Sequence, residues 1–209
     1  MRSELQRRLS RYWRMELANA VIVPFALLLL AEVSGDGVGW LSVAALVPMV
    51  GLLIVGGWYW RAKWLQLGGD RRAIEPALRL ADRAQRPLGV TSIAAAGLAA
   101  LSWVVPALSV GRSDRIVASI AAALAAAEYV NYYHRQLQHV DRLADARRLV
   151  SGRGFRPAKL AVDLARHRTG GTTSTATSAE RRLRCVDGPA GQAPDPPDAG
   201  QGRRGHPRS

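Results

Sequence analysis

The chain has 209 residues, enough for one domain, and its hydrophobic residues gather in four blocks between Leu17 and Tyr133 with charged segments between them. Its net charge of +13, from 29 Lys and Arg against 16 acids, fits nucleic acid, acidic lipid or membrane topology as its origin. The single cysteine, Cys185, excludes an internal disulfide and any redox mechanism that needs a cysteine pair within one chain.

Residues 1–15 carry Arg2, Arg7, Arg8, Arg11 and Arg14 against Glu4, with Leu5, Leu9 and Tyr12 at helical spacing. They read as a basic amphipathic lead-in. An apolar run follows over residues 17–34, interrupted by Asn19, Pro24 and Glu32. A basic start before an apolar run also describes a secretory signal. However, Leu30-Ala31-Glu32-Val33 offers no clean small-x-small cleavage site, so this run is expected to remain as a first span.

After a glycine-rich turn, residues 38–60 form a second uncharged run and residues 88–110 a third, each 23 residues long. At ~1.5 Å per residue such a helix is about 35 Å long, enough to cross a hydrocarbon core of about 30 Å. A helix in a soluble bundle keeps a polar stripe toward water, and these two runs have none. Residues 116–133 supply the fourth run, of small apolar residues ending in Glu128-Tyr129-Val130-Asn131-Tyr132-Tyr133-His134-Arg135. The sequence therefore predicts an all-α polytopic membrane protein: a four-helix membrane domain over 16–134, a cytoplasmic helical extension over 135–168 and a disordered tail over 169–209.

The 61–87 loop is polar. Asp70 suits a helix N-cap for Arg71 onward, and Ile74, Ala77, Leu78 and Ala81 give that helix an apolar face. It reads as a short connecting helix packed on the inner end of the bundle, or as an amphipathic helix lying on anionic lipid. Beyond His139 the pattern stays helical to about Val150. Pro157 then suits the first turn of a further helix reaching Arg168. From Thr169 the composition of Thr, Ser, Gly, Pro and Arg cannot bury a core.

Orientation follows from arginine. Of the 29 basic residues, five precede the first span, seven lie in the 61–87 loop and fifteen follow span four, whereas the two remaining turns hold only Arg112 and Arg115. Positive charge collects on the cytoplasmic side, so both termini are expected there. Tyr12, Trp13, Trp58, Tyr59, Trp60, Trp64, Tyr129, Tyr132 and Tyr133 cluster at the same ends, as interfacial aromatics do. Topology thus accounts for the basic charge, and no nucleic-acid partner is expected.

Glu128 is the one acid expected inside a span rather than at its rim, about 7 Å from the span's end by helical rise. Intramembrane acids face the bundle and find partners. Asn131 and Tyr132 are within reach at three and four residues, and Arg135 lies two turns along the same face. The group reads as a clasp that fixes helix register, or as a proton- or ion-handling site at the cytoplasmic mouth. His134 and His139 are about 140° apart around a helix and do not share a face, so no metal site is expected. Span three carries Ala94, Gly97 and Ala100, and span four is rich in alanine, so these two are expected to pair most closely; the same faces would also serve a homo-oligomer.

The exit Glu128–Leu137, with Gly154-Phe155-Arg156-Pro157 and Leu164-Ala165-Arg166 after it, resembles small bacterial four-span integral membrane proteins. The resemblance implies an inner-membrane location and no particular activity. The chain has no Walker-type phosphate loop, Gly-x-Ser-x-Gly elbow or His-Glu-x-x-His. The expectation is a protein that is not an enzyme and has no cofactor. It would be structural or bind a cytoplasmic protein partner, with the lipid bilayer as its surroundings. The alternative is a small oligomeric transporter or channel using Glu128. A third reading makes Glu128 and His134 an acid–base pair acting on lipid head groups.

Overall fold

The computed structural model describes residues 2–35, 37–70, 72–135 and 157–169. Four long helices form a bundle: α1 (Arg2–Val33), α2 (Trp40–Gly68), α3 (Ile74–Leu101) and α4 (Arg112–Tyr133). A fifth, α5, covers residues 159–169. The described residues are all-α; of the tail expected over 169–209, Thr169 is instead the last residue of α5 and the rest lies outside the described residues.

α2 is the central helix. It packs against α1, α3 and α4, and α4 also touches α1 and α3, so α1 and α3 flank the α2–α4 pair on opposite sides. Accordingly α2 buries residues around most of its circumference, including Leu41, Ala45, Met49, Leu52, Val55 and Tyr59. α4 meets it with Val117, Ala118, Ala121, Ala122 and Ala125, all fully or nearly fully buried. Alanine at these positions lets the two backbones approach closely, which is how helices associate without a hydrophobic drive between them.

The outward face inverts the pattern of a soluble bundle. Val21, Ile22 and Phe25 on α1, Val43, Val47 and Ile54 on α2, Val90 and Ile93 on α3, and Ile116, Ile120 and Leu124 on α4 are all exposed. Three helical segments, Glu4–Val33, Trp40–Gly68 and Arg112–Tyr133, are long and apolar enough to cross a membrane. The chain therefore has the composition of a multi-pass membrane protein.

The helix boundaries correct four expectations. The third apolar run is not one helix over 88–110. Pro106 lacks an amide hydrogen and forces Val105 out of helical geometry (φ −116°, ψ 86°), so α3 ends at Leu101 and residues 102–110 wind through a 3₁₀ turn at Pro106–Leu108. This leaves α3 an apolar stretch from Leu88 to Leu101 of about 21 Å, too short to qualify with the other three. Secondly, no separate short helix fills the 61–87 loop. α2 runs on to Gly68 and stops in a Schellman turn, with Gly69 at φ +113° and Asp70 N–H bonded to Leu65 O at 3.2 Å. Asp70 then accepts the Arg72 N–H at 3.1 Å in a local turn, and α3 continues unbroken from Ile74 through Pro87. The apolar face Ala77, Leu78 and Ala81 is buried in the bundle.

Thirdly, Ala94, Gly97 and Ala100 point away from the bundle, and a side chain added at Gly97 would meet nothing. The packing face of α3 is Gly89, Ser92, Ala95 and Ala99. Its contact with α4 is less extensive than that of α2 with either α1 or α4. Fourthly, α4 ends at Tyr133 instead of continuing past His139; residues 136–156 lie outside the described set.

Each end of the bundle is tied by polar contacts. At the end where α2 and α4 begin, Asp114 is fully buried and caps a helix other than its own. Its Oδ1 accepts the Ser42 N–H at 2.9 Å and the Ser42 hydroxyl at 2.6 Å, and its Oδ2 accepts the Val110 N–H at 3.2 Å. The carboxylate thus sits on the amino terminus of α2, where orphan N–H groups and the helix dipole favour negative charge. Gly39 makes this room, because a Cβ there would overlap the Asp114 carboxyl. Nearby, Trp103 Nε1 donates to Ser119 Oγ at 3.0 Å, joining the segment after α3 to α4.

At the opposite end α5 folds back over α2 and α3. Arg135 pairs with Pro157 in an antiparallel bridge, and Ala158 N–H bonds to His134 O at 3.2 Å. Leu160 and Leu164 enter the core. Asp163 Oδ2 accepts from Tyr59 OH and Lys63 Nζ, both at 2.7 Å, and Arg168 reaches Asp82 and Gln85 on α3.

Two predictions follow from these ties. Asp114→Ala should cost about 1.5–3 kcal/mol, the worth of hydrogen bonds to a charged group, in thermal unfolding of the detergent-solubilised protein. Gly39→Ala should also destabilise, and the double variant should lose clearly less than the sum, since the overlap vanishes with the carboxylate. Asp163→Ala should release α5 while leaving the bundle folded. The readout is hydrogen exchange, with protection lost over residues 159–169 and kept in α2 and α4.

Candidate functional site

The polar group that sequence placed around Glu128 lies where α4 approaches α1 and α2, near the end capped by α5. Asn131 and Tyr132 follow Glu128 by three and four residues, so all three stand on neighbouring positions of one helical face. Asn131 Nδ2 donates to Glu128 Oε2 at 3.2 Å. Asn131 and Tyr132 are buried, and Glu128 is half-buried.

Arg135 does not join them. α4 ends at Tyr133, and His134 takes a non-helical conformation (φ −127°, ψ −68°), which turns the chain into the bridge with Pro157. Arg135 is exposed, and the stripe of polar residues expected to continue to it is broken at the end of the helix. His134 is exposed too, with its ring 5.5 Å from that of Tyr129. His139 lies outside the described residues, and among those described no three His, Cys, Asp or Glu come together as a metal-binding group.

The second acid at the site is Glu16, which sequence reasoning missed. It is 94% buried, with a relative exposure of 6%. It lies on α1, close enough to Glu128 for the two carboxylates to repel, and it faces the Tyr132 hydroxyl. The signal was available. Leu9, Glu16, Ala20, Leu27 and Ala31 are the buried positions of α1, and their steps of seven, four, seven and four trace one helical face. Glu16 occupies a core position in that stripe. Counting the span from Leu17 cut the stripe one residue short.

Glycines on α2 make the approach feasible. A Cβ at Gly56 would overlap the Tyr132 ring, and one at Gly57 would come within 2.8 Å of the Leu17 side chain and 3.4 Å of the Glu16 Cβ. α2 therefore offers a shallow notch, with α1 seated on one side and Tyr132 on the other. Tyr129 and Tyr133 turn toward α3 instead. Tyr129 packs against Gly89, where a Cβ would lie 2.7 Å from its hydroxyl, and Tyr133 OH donates to Ala81 O at 2.9 Å. The three tyrosines of the exit thus divide between two neighbours, one to the α1–α2 side and two to α3.

The environment of the acids is apolar and aromatic. Tyr12 of α1 stacks near Trp60 with centroids 6.2 Å apart, and Trp13 near Trp64 at 6.4 Å. The nearby cations are engaged with ring faces: Arg14 and Arg61 over Trp13 at 5.4 and 6.0 Å, and Arg61 over Trp58 at 5.4 Å. Among the described residues, no Lys or Arg forms an ion pair with Glu16 or Glu128. The arrangement is a pair of carboxylates with a tyrosine hydroxyl and a carboxamide, set among apolar and aromatic side chains, with no counter-charge paired to the acids among the described residues.

Gly56→Ala should cost about 1–3 kcal/mol through overpacking, measured by thermal unfolding in detergent. In a Tyr132→Ala background the same change should cost less than half as much. Equal cost in both backgrounds would show that the notch does not hold the ring. Comparison with known proteins places no relative beside this arrangement: no protein-family model, curated protein or solved structure matches the chain.

Proposed function

We propose that this chain is a four-crossing, non-catalytic integral protein of a bacterial inner membrane. Both termini and the α2–α3 connection are cytoplasmic, and the cytoplasmic end acts as a docking face for a protein partner. Membership among the small bacterial membrane proteins that its Glu128–Leu137 exit resembles is part of the same proposal. The observation that carries the reading is the path of α3. Its early part lies beside Tyr133, through the Tyr133–Ala81 hydrogen bond, and the chain after its end meets α4 at Ser119 through Trp103. The chain therefore passes along the bundle four times, although among the described residues three helices are long and apolar enough to cross unaided. Seated against α2 and α4, α3 crosses with a short apolar stretch, and residues 102–110 complete the passage while packed beside α4.

Arginine distribution supports the orientation. Arg7, Arg8, Arg11, Arg61, Arg72, Arg79, Arg83 and Arg86 all belong to the end that α5 covers. His134 stands exposed while Glu128 turns toward α1, which gives no support to an acid–base pair working on lipid head groups. A second reading, a small transporter or channel working through Glu128, is favoured by one specific observation, the arrival of Glu16 beside it.

Cysteine accessibility tests the topology. In a Cys185→Ala background, single cysteines introduced by Ser34→Cys, Arg72→Cys and Ser109→Cys would be treated with a membrane-impermeant thiol reagent on intact cells. Labelling at Ser34→Cys and Ser109→Cys from outside, and at Arg72→Cys only after lysis, is expected. Protection of Ser109→Cys in intact cells with labelling after lysis would mean that α3 does not cross.

A further inference from the structure

We propose that Glu16, Glu128 and Tyr132 form a binding site for one small monovalent cation, a proton or an alkali ion, held between α1 and α4 over the Gly56–Gly57 notch of α2. The proposal rests on the membrane reading above, since it needs lipid around the bundle, but it does not depend on whether the ion is carried across.

The argument begins with charge. A carboxylate removed from water is costly unless paired, and two that share one site cannot both stay ionised without a positive charge between them. Among the described residues, the elements packed around the pair hold no cation that pairs with either acid. α1 contributes Glu16 itself, while Arg14 rests on Trp13. α2 contributes Gly56 and Gly57 at this level. One turn on, Tyr59 and Lys63 are committed to Asp163, and Arg61 to two tryptophan faces. α4 contributes Glu128, Asn131 and Tyr132. On α5, Lys159 lies over the Trp60 ring at 5.8 Å. α3 lies on the far side of the α2–α4 pair. None of these cations pairs with either acid.

The second observation concerns the tyrosine. Tyr132 is 96% buried, with 4% relative exposure, and its hydroxyl faces Glu16 while making no hydrogen bond of normal geometry to any described group. A buried hydroxyl without such a bond destabilises the fold until a partner arrives. Tyrosine is both donor and acceptor, so the same hydroxyl can coordinate a cation through its oxygen or bond to a protonated acid. The ring cannot withdraw, because Gly56 fits against it. An ion shared by two carboxylates and the tyrosine oxygen would satisfy all three groups at once.

The test uses the full-length chain in lipid nanodiscs and infrared difference spectroscopy of the carboxylic acid carbonyl stretch. Samples are titrated from mildly acidic to alkaline pH in choline buffer and again in sodium buffer. A proton site predicts a protonated-acid band near neutral pH that is the same in both buffers. An alkali-ion site predicts that sodium removes this band and raises the thermal midpoint. In either case Glu16→Gln or Glu128→Gln should move the band's titration to lower pH, because the remaining acid no longer faces a like charge. The Glu16→Gln/Glu128→Gln double variant should lose both the band and any sodium effect. Tyr132→Phe, which keeps the ring in its notch, should shift the titration without abolishing it. A band and sodium response that persist unchanged in the double variant, or a parent protein that shows neither, would overturn the proposal. Failure of the membrane reading is seen separately, as recovery of the parent chain in the soluble fraction before reconstitution.

Discussion

The bundle depends on how closely its neighbours approach α2. Wherever another helix comes near, α2 or its partner supplies a small residue: Gly56 and Gly57 toward Tyr132 and Leu17, Gly51 toward Leu88, and on α4 the run of Ala118, Ala121, Ala122 and Ala125. Lipid tails are as apolar as leucine, so burial of greasy side chains gives no reason for helices in a bilayer to associate. Contact area and polar ties must hold them. Small residues maximise the first, and the molecule places the second at its two ends.

Those ends are built differently. Where α2 and α4 begin, one carboxylate joins them, with Asp114 answering the N–H groups that α2 leaves unbonded. Where they finish, the tie comes from outside the bundle, through α5 and its Asp163 and Arg168. Between them lie two acids, Glu16 and Glu128, with which no cation pairs among the described residues. Of the other polar groups in the core, Ser42 and the Tyr133 hydroxyl are satisfied by defined bonds, whereas Ser92 Oγ and Trp13 Nε1 are buried without one.

Much of this was legible in the sequence, and the misses have physical causes. Long uncharged runs announced α2 and the class of the protein, and the Glu128–Tyr132 spacing announced one wall of the groove. Hydropathy alone could not find the end of α3, because Val104, Val105, Leu108 and Val110 are as apolar as a helix interior; the stop is set by Pro106, which such a count does not register as a break. Which face of α3 turns inward was also hidden, since small residues occur all round it; the large Val90 and Ile93 face outward, and the small Gly89, Ser92, Ala95 and Ala99 pack inward, with Gly89 against Tyr129. Glu16 was obscured by a boundary drawn where charge ends, although an acid belongs to the core whenever its position falls on the buried stripe. The exit after Tyr133 keeps a helical pattern in sequence, yet the chain turns there to pair with Pro157, a contact no local rule anticipates.

The Asp114 tie has a mechanical consequence. By fastening the first turns of α2 and α4 to each other, it denies these two helices any sliding past one another, and α3 is stitched to the same pair by Tyr133 and Trp103. α1 joins them by side-chain packing: its contact with α2 is as extensive as any between two helices of the bundle and is made by the buried Leu9, Ala20, Leu27 and Ala31, by stacked rings and by leucine against glycine. The wall that carries Glu128 is therefore fixed by hydrogen bonds, and the wall that carries Glu16 by the fit of apolar surfaces.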